Sequence, residues 1–203
     1  MNSFIDGKVL KEYDLGSDTF LTGTDEVDYT QVMADKNILY CGTHLGSIIF
    51  YDPRMFRSGL KRAHNRRISC LVKSQKNGYA FYSGSHDHSV KQWDLRKSDK
   101  AIMTMCAVDR PEYANFNISN IYESKSGDKL FVTDMNLLYM WNIVSGDPQL
   151  LRVTTIDEHI YENCIAMDQH EEELYVQLWN GSKHILTTIS SGCGFDDMVD
   201  NEK

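Results

Sequence analysis

This sequence has no apolar run near the roughly 20 residues that cross a bilayer as a helix, so no helical membrane span is expected in it. Its first ten residues, MNSFIDGKVL, lack the basic start and apolar core of a signal peptide. Its five cysteines (Cys41, Cys70, Cys106, Cys164 and Cys193) are scattered without a Cys-x-x-Cys pair, which argues against a compact zinc or thiol-redox centre. Such usage suits a reducing compartment, cytoplasm or nucleus. The first four fall in or at the ends of predicted strands, where a buried thiol behaves as a small hydrophobe. Proline is scarce: Pro53, Pro111 and Pro148 each sit at or just beyond a predicted strand end. Sustained helical periodicity is missing. So is a basic excess: 21 Lys and Arg against 29 Asp and Glu give a net charge of −8, which disfavours general affinity for nucleic acid or anionic membrane. Neither a phosphate-cradling loop nor a metal motif nor a nucleophile elbow occurs, so no cofactor and no catalytic centre is expected.

What the chain does have is a repeat. Sliding it by 42 residues lays 38–54 over 80–96 without a gap. Tyr40 then meets Tyr82, Gly42 meets Gly84, Ser47 meets Ser89, Asp52 meets Asp94, Arg54 meets Arg96, and Tyr51 stands at Trp93. A third copy, 130–142, lies 48 residues on and ends in Trp141-Asn142. A weak fourth runs over 174–188, and a partial one, KVLKEYDL, opens the chain over 8–15. Short segments rich in Val, Ile, Leu, Tyr and Phe (38–42, 47–51, 79–83, 89–94, 128–133 and 137–142) are separated by polar turns, the pattern of an all-β protein.

The segment 82–97, YSGSHDHSVKQWDLRK, resembles the second half of a WD-repeat blade, and a period of about 40 to 45 residues is that of a β-propeller. The resemblance implies an all-β fold of WD-repeat propeller blades, each a four-stranded antiparallel sheet. Blades are expected near 27–62, 66–107 and 118–156, with partial ones near 4–22 and 162–190, inside a propeller region of 1–192. Residues 193–203 form an acidic tail expected to be disordered. That is about four blades' worth of chain, where such rings usually take about seven. An incomplete propeller is therefore expected, with self-association through exposed terminal blades.

The resemblance also implies a hydrogen-bond chain through His64, Ser83, Asp87 and Trp93, in which a buried indole and imidazole satisfy one another's polar groups. Leu45 and Met135 stand at the Asp87 position of the neighbouring repeats, which must rely on apolar packing. His64, Ser83 and Asp87 have the residue types of a hydrolase triad. A serine inside an ordinary blade strand points into a sheet interface, however, and the structural reading is expected. His86-Asp87-His88 sits in a predicted turn with no second ligand cluster, so no metal site is expected.

Fold of this kind implies a non-enzymatic interaction scaffold for other proteins or peptides. Two successive Asp-x-Arg endings, at Arg54 and Arg96, are similar to the box of cullin-RING ubiquitin-ligase substrate receptors, whose arginines contact the adaptor. That makes a substrate-receptor role the alternative; a propeller enzyme is a third and remote one. A basic run from Arg57 through Lys61 and Arg62 to Arg66 and Arg67 offers a second candidate contact surface, against the ordinary fate of a solvated loop.

Overall fold

The computed structural model describes residues 28–36, 38–51, 58–60, 62–96, 100–106, 117–133, 137–144, 149–155, 162–167, 173–179 and 184–190. The expected partial blade at 4–22, Arg54, Arg57, Lys61, Met135, the three prolines and the acidic tail lie outside them.

The described residues contain strands and no helix. A first sheet comprises β1 (Tyr29–Asp35), β2 (Ile38–Thr43), β3 (Ile48–Tyr51) and β4 (Ser58–Leu60). A second comprises β5 (Ile68–Lys73), β6 (Ala80–Ser85), β7 (Ser89–Asp94) and β8 (Met103–Cys106). A third comprises β9 (Asn120–Glu123), β10 (Lys129–Thr133), β11 (Leu137–Asn142) and β12 (Gln149–Thr155), and β13 (Glu162–Met167), β14 (Glu173–Trp179) and β15 (His184–Ser190) make a three-stranded fourth. Each is an antiparallel meander in which every strand pairs with its sequence neighbour. Short polar turns permit this local pairing, since antiparallel strands need only a few residues to reverse.

Successive sheets stack through their first strands: β5 packs on β1 and β2, and β9 on β5 and β6. Strand β6 is therefore buried along its whole length, which explains why Ala80–Ser85 lacks a clean alternation of apolar and polar residues. Phe81 faces the first sheet, its ring 5.6 Å from that of Tyr40, and it stacks 6.2 Å from Trp93 in its own sheet. Tyr82 faces the third, packed with Ile121, Leu130, Val132, Tyr139 and Trp141.

The repeated glycines mark these joints. A Cβ on Gly42 would stand 2.7 Å from Ile68 Cγ2, and one on Gly84 would stand 2.5 Å from both Cys70 Sγ and Ile118 Cγ2. Opposite each glycine the first strand bulges, at Tyr29/Gln31 and at Ile68/Cys70. The residue left unpaired, Thr30 or Ser69, donates its hydroxyl to the carbonyl of the facing glycine, at 3.2 Å in both sheets.

Two expectations need correction. The third copy does not hold one register. Trp93 pairs with Phe81 and Tyr51 with Leu39, but Trp141 pairs with Leu130, so its hairpin is one residue shorter. A constant 48-residue slide is right for β11 and one residue out for β10, a slip that a polar turn of variable length leaves invisible in the sequence. Cys106 is exposed rather than buried, because β8 is an outer strand with alternating burial that turns Thr104 and Cys106 to solvent.

Candidate functional site

The second sheet carries a closed polar chain on the face toward the first. The Trp93 indole Nε1–H donates to Ser83 Oγ at 2.7 Å, and Ser83 Oγ lies 2.7 Å from His64 Nε2. His64 Nδ1 lies 3.1 Å from both Asp87 oxygens. One tautomer satisfies every atom: Ser83 donates to Nε2, and Nδ1–H donates to Asp87. Burial is the largest influence on His64 and pushes its pKa below the ordinary value despite the nearby carboxylate, so the ring is neutral. Burial alone would raise Asp87. Hydrogen bonds from His64 and Ser89 and the Asn65 backbone N–H outweigh it and hold the carboxyl well below the usual range.

Ser89 is a member that the residue spacing did not single out. Its hydroxyl donates to Asp87 Oδ1 at 2.6 Å and its backbone N–H to the same oxygen at 3.1 Å. His64 and Ser83 are 2% and 0% exposed, so no substrate reaches the serine, and its oxygen is held by an indole on one side and an imidazole on the other. The neighbouring sheets lack this chain: by strand register, Cys41 and Val132 occupy the Ser83 position, and Leu45 stands exposed where the second sheet has Asp87.

A second polar centre joins the second and third sheets. Glu123 is 3% exposed. Its carboxylate accepts Ser74 Oγ–H at 2.8 and 2.9 Å, the Gln75 backbone N–H at 2.6 Å and Tyr82 Oη–H at 3.0 Å. Burial first, and then the charge and hydrogen bond of Glu123, raise the Tyr82 phenol above its ordinary pKa. Gln92 Nε2 in turn donates to the Tyr82 oxygen at 3.1 Å. The first joint has a counterpart in Lys73, which stands at the Glu123 position of β5 and reaches back to Asp35 of β1. Glu123 carried no signal by itself; its partners are 41 to 49 residues away in the chain.

Of the candidate contact residues, Arg54 lies outside the described residues. Arg96 is turned back on its own blade. Its Nε and Nη2 donate to the two Asp94 oxygens at 3.0 and 2.8 Å, and its guanidinium lies 4.6 Å from the Tyr79 ring centre. Arg66 and Arg67 are exposed in the loop that precedes β5. No group of three or more His, Cys, Asp or Glu among the described residues is arranged to hold a metal ion.

No protein-family model matches the chain. Among solved structures, a chain in the crystal structure of the mitotic checkpoint complex matches 82% of this chain and 52% of its own length, with a TM-score of 0.58 at 16% identity. These sheets have the fold of β-propeller blades. Among curated sequences, the chain is similar to the ribosome biogenesis protein ytm1 of Schizosaccharomyces pombe, 28% identical over 108 residues, 51% of this chain and 22% of that protein. It is also similar to the proteins of that name from Neurospora crassa, at 32% over 87 residues (39% of this chain, 18% of the relative), and from Saccharomyces cerevisiae, at 34% over 71 residues (32% and 15%). The chain thus spans about a fifth of the length of these relatives.

Proposed function

We propose that this chain is a non-enzymatic WD-repeat scaffold that holds protein partners during ribosome biogenesis, in the nucleus. The observation that carries the reading is the similarity to ribosome biogenesis proteins from several fungi, at 28 to 34% identity. The chemistry of the second blade agrees with it. Its one Ser–His–Asp arrangement is buried, internally satisfied and closed to substrate. The ubiquitin-ligase adaptor reading draws no support from these relatives, and Arg96 is already held by Asp94.

The test is depletion of the protein in its own cells, with ribosomal RNA precursors followed by pulse labelling and the tagged chain followed through a sucrose gradient. Accumulating precursors and co-sedimentation with pre-ribosomal particles are expected. Normal precursor processing together with a tag confined to the top of the gradient would refute the assignment. Self-association is a further expectation of this reading, which a strictly monomeric species in light scattering would remove.

A further inference from the structure

Three segments meet at the end of the second blade where the His64–Asp87 chain lies: the turn after β2 (44–46), the loop before β5 (62–67) and the turn between β6 and β7 (86–88). Backbone bonds lash them together. The His86 N–H donates to the Arg67 carbonyl at 2.9 Å, the Ser85 hydroxyl reaches the Arg66 and Arg67 carbonyls at 3.0 and 2.9 Å, and the His64 N–H donates to the Gly46 carbonyl at 2.8 Å. Gly46, with φ +82°, lies directly against the His64 and Arg66 carbonyls, where no side chain fits. The fold thereby gathers His44, Arg66, Arg67, His86 and His88. The one carboxylate in these segments, Asp87, is already engaged by His64, Ser89 and Asn65. Asp28 adjoins them only through its carbonyl, which accepts the His44 N–H at 2.9 Å.

We infer that this end of the blade, centred on Arg66, Arg67 and His86, docks an acidic peptide segment of a protein partner. The inference rests on the scaffold reading and names the chemistry of one partner. Its first support is the pair Arg66 and Arg67, which no carboxylate among the described residues engages: both are exposed at their side chains while their carbonyls are bound, so charge and scaffold are separate. A second is that His86 feels this field. Burial first, then Arg67, His44, His88 and Arg66, hold its pKa below the ordinary value, and a carboxylate placed among them relieves that strain. The occupant is a peptide rather than RNA because the patch is compact and the chain as a whole carries −8. A long polyanion needs a basic track longer than these three segments supply, whereas a short acidic segment does not.

The experiment uses the whole 203-residue chain and two fluorescent probes, a Glu-rich peptide of about twelve residues and a poly-uridine RNA of matching length, read by anisotropy at about 0.1 M salt. Saturable peptide binding is expected, weakened about tenfold or more by Arg66→Ser/Arg67→Ser with an unchanged thermal melt. Binding should tighten between about pH 7.5 and about pH 5.5, and His86→Gln should flatten that dependence. The inference is overturned if the peptide does not bind, if the double variant binds it equally, or if RNA binds more tightly through the same arginines. The two readings separate cleanly. Peptide binding lost in the double variant without any ribosomal RNA phenotype on depletion retains the docking site and removes the pathway. The converse removes the docking site alone.

Discussion

Removing the Glu123 carboxylate tests whether one buried charge fastens two blades. Glu123→Ala orphans three donors at once: the Ser74 and Tyr82 hydroxyls and the Gln75 backbone N–H. Each buried donor without a partner costs about 1–3 kcal/mol, and donors sharing one site are not additive. A loss of about 3–5 kcal/mol is expected, a large share of the stability of a typical domain. Glu123→Gln keeps the volume and one accepting oxygen but trades charge-assisted bonds for neutral ones, for about 1–2 kcal/mol. Urea unfolding followed by tryptophan fluorescence and far-UV circular dichroism reads both. Tyr82→Phe completes a cycle. Alone it removes one bond to the carboxylate, at about 1 kcal/mol. In the Glu123→Ala background the hydroxyl keeps Gln92 and its neighbour Ser74 but no charged partner, and its removal should cost little. An alanine variant within about 0.5 kcal/mol of the parent, or additive effects around the cycle, would refute the clamp.

Four other outcomes follow from the same geometry. Ser83→Ala strands the Trp93 indole and the His64 imidazole and should cost about 2–4 kcal/mol in urea unfolding; a shift inside error would show that the chain holds nothing. His64 and Asp87 both have depressed folded-state pKa values, so the unfolded chain takes up protons first as pH falls. Stability should decline below about pH 6.5, where a free histidine titrates, and further through the carboxylate range, and a melting temperature flat from neutral into that range would contradict this. Gly84→Ala forces a methyl against Cys70 and Ile118 and should destabilise by about 1–3 kcal/mol; a neutral result would mean that the joint gives way freely. Among the described cysteines, Cys106 should react with a thiol reagent in the folded protein while Cys41 and Cys70 stay protected, as burial raises both thiols, Cys70 to about 12; equal labelling before and after Cys106→Ser would reverse the assignment.

What the sequence made legible was whatever lies close along the chain. Trp93, Ser83 and Asp87 fall within one hairpin, and a hairpin repeats its residue types at fixed offsets. The strand segments were legible for the same reason. Contacts between blades were not: Glu123 in the short strand Asn120–Glu123 looks like any polar residue until Ser74 and Tyr82 arrive from another sheet. Turn length hid the third hairpin's shorter register, and strand position hid the exposure of Cys106. The Arg96–Asp94 ion pair was hidden too, since two residues of separation give no hint in sequence that the carboxylate turns to clasp the guanidinium.

The glycines at 42 and 84 have an architectural consequence. Each lets the next inner strand approach one blade at van der Waals contact, while Tyr40, Phe50, Phe81 and Trp93 fill space within the same stack. A blade is thus a wedge, and the taper is encoded by side-chain size. In the third sheet, strand register puts Thr133 at the place of Gly42 and Gly84, fully buried. A bulkier residue there calls for a wider gap, so curvature is set joint by joint. One methyl at one joint is then enough to change how far the arc bends, and with it which surfaces its loops can present side by side.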